Sequence, residues 1–449
     1  MSNLSDLDEK KALNVYGYMP IVGELSLLSS FDVNKIVFLG ASITDQSISS
    51  QSTRTYSEGY ASTEYEKSVT IIERATAGWS VEDLAQNIDS IISEFDLESE
   101  THYVMHIGGN DVLAYTEFLD LPEETQSKMI SDLEYIYDAI HAQGRKLIQS
   151  SITFRNYGGT TIDNDPAVKV NELDGSYTYT RDWIVPVMQR KAPEYLHNNW
   201  PAVDLYNATR NIYEDWKDGA DVVHPNKWAR IIYTQEMVDG ILKLSEAEIP
   251  QAVTPLNYNE SNQNASAVDV TIGFTAQDAS GDNINWLVRD QFAGSTVGDY
   301  KLELNDTAGQ QTGLRLFTSV NTQWIGGAGN SSDPSNLTPT LENNQLLSSY
   351  AGISTSGGVS YIMIDGLEPF REYTLQAVAS RAAGAEQLND VYIHGGIPAS
   401  VDVGTSNPEG NIVSGTRLSD YKGRLFVAVA ENSEENRATV NGVRVFSNG

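Results

Sequence analysis

The sequence has no cysteine among its 449 residues. This absence excludes disulfide bonds, thiolate nucleophiles, and zinc or iron–sulfur sites with cysteine ligands. A covalent mechanism would therefore need another nucleophile, such as a serine hydroxyl.

Basic residues are scarce, because 29 Lys and Arg stand against 61 Asp and Glu, for a formal charge of −32. A nucleic-acid partner would meet net repulsion, and no basic run in the sequence offsets it. We therefore expect no nucleic-acid binding. The negative charge favours solubility but does not identify a compartment.

Long hydrophobic runs are missing as well, since no apolar stretch approaches the length that crosses a membrane. Residues 1–9 lack the basic and apolar regions of a secretory signal. We expect a soluble protein without membrane insertion. An extracellular or virion-associated location is favoured over a cytoplasmic one, and the oligomeric state stays open.

What is present divides into two regions, in a chain long enough for two or three domains. Over residues 35–244, short apolar runs alternate with stripes at helical spacing, which predicts a parallel sheet covered by helices on both faces. Residues 154–180 have no period and follow a predicted strand, so we expect them either to shape a substrate pocket or to form only a surface excursion. The predicted strands are 35–39, 69–73, 103–107, 146–150 and 202–205, and the predicted helices are 81–95 and 122–143.

Beyond residue 265 the sequence has many short alternating strands separated by Gly, Asn and Asp, which is typical of a β-sandwich, here predicted to be jelly-roll-like. The pair Asn441-Gly442 predicts a hairpin within residues 438–446. Pro250 and Pro255 lie in a segment without a pattern, which indicates a linker. The predicted division is an N-terminal extension at 1–32, an α/β domain at 33–248, a linker at 249–265 and a β-sandwich domain at 266–449.

Polar segments follow several predicted elements of the α/β region. Serine is a poor nucleophile unless a base takes its proton and a third group orients that base. Ser42 comes directly after the first predicted strand, and one local turn can carry both Asp221 and His224 because they are three residues apart. We therefore predict that Ser42 is the nucleophile, His224 the general base and Asp221 the orienting carboxylate.

The oxyanion of a tetrahedral intermediate needs hydrogen-bond donors. The candidates are the backbone N–H groups of Ser42 and Gly78 and the side-chain amide of Asn110. Two neighbouring side chains have two interpretations each. Trp79 either lines the acyl pocket or packs in the core, and Asp111 either contacts substrate or supports its own turn.

Taken in order, these segments resemble the four sequence blocks of the SGNH (GDSL-type) hydrolases. The blocks are Gly40-Ala41-Ser42-Ile43-Thr44, Gly78, Gly108-Gly109-Asn110-Asp111 and Asp221-Val222-Val223-His224-Pro225. The resemblance covers residues 33–244 and implies a flavodoxin-like three-layer α/β/α fold. It also implies ester hydrolysis by Ser42, Asp221 and His224, with Gly78 and Asn110 in the oxyanion hole. One departure is Ala41, where the eponymous motif has Asp, and we interpret it as a mark of a subfamily.

Some of these residues have simpler interpretations. Ser42 is also suited to cap the helix after the first strand, and Asp218 is an alternative to Asp221 as the orienting carboxylate. His102 and His106 flank a predicted strand at an even spacing, but they have no partner ligand in the sequence, so we interpret them as packed or capping residues. No metal and no cofactor is implied.

The C-terminal region is similar to β-sandwich accessory domains found beside esterases and other enzymes that act on polysaccharides. The similarity rests on Asp365-Gly366-Leu367, Tyr373-Thr374-Leu375 and Ala379-Ser380-Arg381. It implies carbohydrate binding or a structural role as a lid for the catalytic domain. Trp286, Trp324 and Tyr361 are candidates for stacking on sugar rings, although aromatic residues in a sandwich are more often core.

The favoured function is a serine esterase that removes short acyl groups, above all acetyl, from an acylated carbohydrate or another small ester. One alternative is a lipase or thioesterase acting on other acyl groups, which the lack of a long apolar lid disfavours. Another is a non-catalytic carbohydrate-binding or virion adhesion protein, in which the α/β region is only a scaffold.

Overall fold

The computed structural model describes residues 30–95, 100–111, 121–154, 168–170, 177–179, 183–197, 200–210, 212–248, 268–275, 284–288, 298–306, 308–320, 351–353, 359–379, 388–394, 398–402, 412–431 and 438–447. Residues 1–29 of the predicted extension, the predicted linker at 249–265 and most of the loop at 154–180 lie outside these residues.

The first part of the chain alternates strands and helices. Its strands are β1 (Lys35–Gly40), β2 (Thr70–Ala75), β3 (Thr101–His106), β4 (Leu147–Gln149), β5 (Val168–Val170), β6 (Tyr177–Tyr179), β7 (Leu196–His197), β8 (Trp200–Pro201), β9 (Lys217–Asp218) and β10 (Asp221–Pro225). Its α-helices are α1 (Ser42–Ile48), α2 (Gln51–Glu64), α3 (Val81–Ser93), α4 (Glu123–Ala142), α5 (Ile184–Lys191), α6 (Leu205–Arg210), α7 (Tyr213–Trp216) and α8 (Ala229–Ser245). A short 3₁₀ helix spans Pro193–Tyr195.

Strands β1 to β4 form a parallel sheet in the order β2-β1-β3-β4. The chain moves from β1 to β2 in one direction and then to β3 and β4 in the other. Right-handed crossovers therefore place α1 and α2 on one face of the sheet and α3 and α4 on the opposite face. The predicted three-layer α/β/α fold is confirmed.

The predicted strand at 202–205 is wrong. Val203 forms only a single parallel bridge with Ser150, and helix α6 begins at Leu205. The physical reason is Asp204, whose carboxylate accepts the N–H of Asn207 at 3.1 Å and so caps the helix before a strand can extend. Val203 still occupies the position beyond β4, which completes a flavodoxin-like order.

The second part of the chain contains only strands among its described residues. They are β11 (Asp269–Thr275), β12 (Asn285–Val288), β13 (Gly298–Asn305), β14 (Gln311–Val320), β15 (Ala351–Ile353), β16 (Val359–Asp365), β17 (Glu372–Val378), β18 (Leu388–Ile393), β19 (Ala399–Asp402), β20 (Ile412–Leu418), β21 (Leu425–Glu431), β22 (Ala438–Val440) and β23 (Gly442–Phe446).

These strands form a five-stranded sheet, β12-β11-β23-β17-β20, and a six-stranded sheet, β13-β14-β16-β21-β18-β19. The β-sandwich prediction is confirmed. The predicted hairpin at Asn441-Gly442 is wrong, because β22 pairs with β15 whereas β23 pairs with β11 and β17. Asn441 marks the crossing between sheets, since its N–H donates to the Val378 carbonyl at 2.7 Å and its own carbonyl accepts from Phe274.

The central strands of the six-stranded sheet are buried on both faces. Along β16, Ile362 and Ile364 point into the sandwich core, whereas Val359, Tyr361 and Met363 belong to the same apolar core as the α/β helices. Strand β21 alternates in the same way between the two cores. The outer face of this sheet therefore packs on α2 and α8, and the two regions share one core.

Candidate active site

The predicted site segments meet at the carboxyl edge of the parallel sheet. Ser42 is the first residue of α1 after β1, Gly78 lies in the turn after β2, and Asn110 follows β3. In open α/β sheets, this edge is where ligands bind, at the point where the strand order reverses. The reversal here lies between β1 and β3.

A chain of two hydrogen bonds links Ser42, His224 and Asp221. The Nε2 atom of His224 lies 2.8 Å from Ser42 Oγ, and Nδ1 lies 2.6 Å from Asp221 Oδ2. Because a carboxylate only accepts, Nδ1 carries the ring proton and Nε2 accepts from the serine hydroxyl. Residues 182 positions apart in sequence thus form a nucleophile–base–carboxylate arrangement.

Asp221 also shapes its own segment. Its Oδ1 accepts the N–H of Val223 at 2.8 Å and that of His224 at 3.1 Å. Partial burial raises the pKa of Asp221, but the hydrogen bonds from the His224 ring and these two backbone groups outweigh it, so the pKa lies below its usual value. The carboxylate that contacts His224 is therefore Asp221, and Asp218 is an exposed residue on β9.

Gly40 allows the tight entry into α1. A Cβ atom there would lie 2.1 Å from Thr44 Oγ1 and 2.6 Å from the His106 carbonyl, far inside contact distance. The Thr44 hydroxyl is itself hydrogen-bonded to Tyr233 on α8 at 2.7 Å. Only glycine lets the end of β1 approach β3 and α1 closely enough to present Ser42 at this edge.

The turn after β2 has a different glycine requirement. Gly78 is exposed and has φ of +86°, a left-handed conformation that favours glycine, whereas an added Cβ would meet no atom within 4 Å. Ser80 then begins α3 with a capping box, in which its side chain accepts from Asp83 and Asp83 accepts from Ser80.

Asn110 contacts this turn directly. Its Nδ2 atom donates to the Trp79 carbonyl at 3.0 Å, so the turns after β2 and β3 are tied together. The Trp79 side chain is half-buried and packs against the core. The oxyanion roles of Gly78 and Asn110 and the pocket role of Trp79 stay predictions.

A family model described as GDSL-like Lipase/Acylhydrolase matches residues 36–232. That segment is a GDSL-like acylhydrolase domain. The match spans β1 through the start of α8 and includes Ser42, Asn110, Asp221 and His224. A carboxylic ester hydrolase is therefore the enzyme class of this domain.

Several solved structures are similar to the chain. The psychrotrophic esterase EstA from Pseudoalteromonas sp. is 16% identical, with a TM-score of 0.32 over 47% of this chain and 97% of that one. An acetyl xylan esterase, AlAXEase, is 17% identical, with a TM-score of 0.30 over 46% and 99%. A family 35 carbohydrate binding module from an environmental isolate is 16% identical, with a TM-score of 0.18 over 22% and 71%. No curated protein matches the chain.

In the GDSL-like domain, Asp111 supports the turn before α3. Both of its carboxylate oxygens accept the N–H of Val81, at 3.0 and 3.2 Å. Burial raises the pKa of Asp111 to about 6, although the Val81 N–H works in the opposite direction. This contact fits the supporting interpretation of Asp111, and its predicted contact with substrate stays a prediction.

The two strand histidines hold backbone groups. His102 Nε2 contacts the Asp32 carbonyl at 2.8 Å, and its Nδ1 accepts the N–H of Lys146 at 3.1 Å. His106 Nε2 accepts the N–H of Thr153 at 3.3 Å. Within the described ranges, no group of three or more His, Asp or Glu side chains is arranged to hold a metal ion.

Of the residues considered for sugar stacking, Tyr361 is fully buried against the GDSL-like domain and has no face open to a ligand. Trp324 lies outside the described residues. Within the described part of the chain, no helix has the length and apolar character needed to cross a membrane.

Nothing in the sequence indicates which residues pack against Gly108. A Cβ on Gly108 would lie 3.2 Å from Ile184 Cδ1 and 3.7 Å from Trp183 Cζ2, so the start of α5 packs against the turn that carries Asn110. Gly108 has φ of +102°, which again requires glycine. The only signal in the sequence was an apolar pair after a long segment without a period, which does not indicate a partner.

Proposed function

We propose that Ser42, His224 and Asp221 hydrolyse an ester through an acyl-enzyme intermediate. The observation that carries the proposal is the hydrogen-bonded chain from Asp221 through His224 to Ser42 at the carboxyl edge of an acylhydrolase sheet. Each member has the neighbour its role requires: the hydroxyl has a base, and the base has an anion that holds its tautomer.

In the first half of the reaction, Ser42 Oγ attacks the ester carbonyl carbon and its proton passes to His224 Nε2. The imidazolium that forms is stabilised by Asp221, whose carboxylate lies 2.6 Å from Nδ1. When the tetrahedral intermediate collapses, the bond from carbonyl carbon to alkoxy oxygen breaks. The leaving alcohol takes the proton from Nε2, and the acyl group stays on Ser42.

In the second half, water attacks the acyl-enzyme and gives its proton to His224 Nε2. Collapse of the second intermediate breaks the bond to Ser42 Oγ and returns the proton to it, which releases the acid. We assign the oxyanion in both halves to the N–H groups of Ser42 and Gly78 and to the second N–H of Asn110, whose first N–H donates to Trp79.

We further propose that the substrate carries a short acyl group, above all acetyl, on a carbohydrate. The described part of the site is open, with 43% of the Asp221 side chain and 25% of the His224 side chain exposed. The only large hydrophobic side chain exposed among the described residues is Tyr135, so no apolar patch for a lipid surface is found there. An open polar site suits a hydrated polar alcohol, and Trp79 is our candidate for the wall beside the small acyl group.

The test compares substrates on the full chain. We expect acetate release from acetylated oligosaccharides, and faster hydrolysis of p-nitrophenyl acetate than of p-nitrophenyl octanoate. Preference for octanoate would instead indicate the lipase or thioesterase alternative. Binding of oligosaccharides without turnover of any ester would indicate the non-catalytic alternative.

Ser42→Ala should reduce kcat by about 10⁶-fold, as expected for loss of a nucleophile that acts as a unit with its base. Ser90→Ala, an exposed serine on α3, is the matched control and should keep wild-type activity. Wild-type turnover by the Ser42→Ala protein would refute the assignment.

A further inference from the structure

Tyr361 lies in the contact between the β-sandwich and the GDSL-like domain. It is on β16, is fully buried, and its ring packs edge-on against Tyr56 of α2, with ring centroids 5.6 Å apart. Burial raises the pKa of its phenol to about 12. The hydroxyl is therefore a neutral hydrogen-bond donor and acceptor at physiological pH.

The Tyr361 hydroxyl contacts both the segment that follows Ser42 and the segment that follows His224. It lies 3.1 Å from Thr53 Oγ1 on α2, and it donates to the Lys227 carbonyl at 3.1 Å. Since a phenol has one hydrogen, the Thr53 hydroxyl is the donor in the first contact. Helix α2 follows the helix that begins at Ser42, and Lys227 is three residues beyond His224. One hydroxyl of the sandwich thus connects the segment after the nucleophile to the segment after the base.

A second contact supports the same segment. Trp228, next to Lys227, is fully buried and packs on His394 of the sandwich with ring centroids 5.0 Å apart. The Trp228 Nε1 atom donates to the Asp215 carbonyl at 2.8 Å, and Asn226 donates to the same carbonyl at 2.7 Å. The end of the His224 segment is therefore held by the sandwich on one side and by α7 on the other.

We propose that Tyr361 is a positioning residue for the reaction, in which its hydroxyl fixes the His224 segment relative to Ser42. This inference rests on the proposed function. It gives the β-sandwich a role in catalysis that does not depend on carbohydrate binding. The role belongs to the hydroxyl, since the ring alone would fill the same space and bury the same apolar surface.

The test replaces the hydroxyl and keeps the ring. Tyr361→Phe removes both hydrogen bonds, whereas Thr53→Val removes only the one to α2 and leaves the bond to Lys227. The matched control is Tyr373→Phe, another buried tyrosine of the same sandwich, whose hydroxyl accepts the N–H of Glu368 at 3.1 Å. Tyr373 packs in the sandwich core and not in the core shared with the GDSL-like domain.

The measurements are kcat and KM on p-nitrophenyl acetate, and the rate at which diethyl p-nitrophenyl phosphate phosphorylates Ser42. Small displacements of catalytic groups reduce rates steeply, so we expect Tyr361→Phe to lower kcat and the phosphorylation rate by about tenfold or more. KM should stay within about twofold, because substrate binding does not involve Tyr361. Thr53→Val should have a smaller effect, and Tyr373→Phe should have none.

Equal activity of Tyr361→Phe and Tyr373→Phe, at equal folded fraction, would overturn the inference. If Tyr361→Phe fails to fold, phosphorylation of Ser42 at the wild-type rate in Thr53→Val would also overturn the inference. Failure of the proposed function is separate, because it would appear as full activity of Ser42→Ala whether residue 361 is tyrosine or phenylalanine.

Discussion

Replacing Glu236 by Gln tests the buried charge cluster that joins α8 to the sandwich. Glu236 Oε2 lies 2.8 Å from Lys422 Nζ, and Oε1 accepts from Arg424. Asp239, one turn further along α8, also lies 2.8 Å from Lys422 Nζ. Both carboxylates are about 5% exposed or less, and the Arg424 side chain is 2% exposed. These charged groups have lost most of their contact with water and interact with one another instead.

The expected cost follows from this burial. Breaking a buried ion pair by removing one partner costs about 3–5 kcal/mol, because the remaining charge stays buried without compensation. Glutamine keeps one oxygen to accept a hydrogen bond, so we expect the lower end, about 3 kcal/mol. At ~2 °C per kcal/mol for a large domain, the Tm should fall by about 6 °C. Because the two regions share one core, unfolding should remain a single transition.

The pH dependence has a definite sign. Burial raises the pKa of Glu236, but Lys422 and Arg424 outweigh it and lower the pKa to about 2 from its usual 4.5. A depressed pKa contributes stability above the unfolded value, which is lost as the pH falls through the folded value. The difference between wild type and Glu236→Gln should therefore be constant above pH 4.5 and shrink towards pH 2.

The assay is urea unfolding followed by tryptophan fluorescence and circular dichroism, with refolding as a check on reversibility. Glu82→Gln is the matched control, since Glu82 lies 3.3 Å from Lys128 with half of each side chain exposed. That surface pair should contribute little to stability, because both charges remain in contact with water. The reasoning is refuted if Glu236→Gln shifts the free energy of unfolding no more than Glu82→Gln does.

Other substitutions test the loops around the site and the shared core. The pKa of Asp111 is raised to about 6, so the stability it contributes is present below pH 4 and lost as the pH rises through 6. In urea unfolding, Asp111→Asn should therefore be more stable than wild type at pH 8 and similar to it at pH 4. Gly40→Ala should abolish most esterase activity and cost ~1–3 kcal/mol or more, because its Cβ would lie 2.1 Å from Thr44 Oγ1; a normal specific activity would contradict this. Gly78→Ala meets no clash and should cost only ~1–2 kcal/mol for its positive φ, measured by thermal unfolding. A chain ending at residue 248 exposes the faces of α2 and α8 that the sandwich covers, and we expect it to aggregate in size-exclusion chromatography rather than elute as a folded monomer.

Local patterns in the sequence were sufficient to predict most of the α/β region. Strand β1 contains a continuous apolar run, β3 is buried along its whole length, and α3 has a single apolar stripe behind a capping box at Ser80. These signals lie within one element, so neighbouring residues decide them. The predicted strand at 202–205 failed because a single carboxylate, Asp204, favoured a helix start that the apolar run did not indicate.

The contacts between distant segments were decided by the tertiary structure. The run Leu425–Glu431, with hardly a polar residue, is typical of a strand buried on both faces, but it does not say what covers the second face. The partner is the helical layer of the GDSL-like domain, through bonds such as that between Arg424 and Glu236, which are 188 residues apart. The crossing at Asn441, predicted as a hairpin, depended on the same choice between sheets.

The sequence by itself therefore determined strands β1 to β4, helices α3 and α4 and the position of the site segments, because those depend on local periodicity and on turns of a few residues. The tertiary structure decided that Ser42 and His224 lie 2.8 Å apart and that Tyr361 joins their two segments. Such distances depend on how the sheet edge and the outer face of the sandwich pack on the same helices. Packing of that kind is a property of complementary surfaces, which no local pattern encodes.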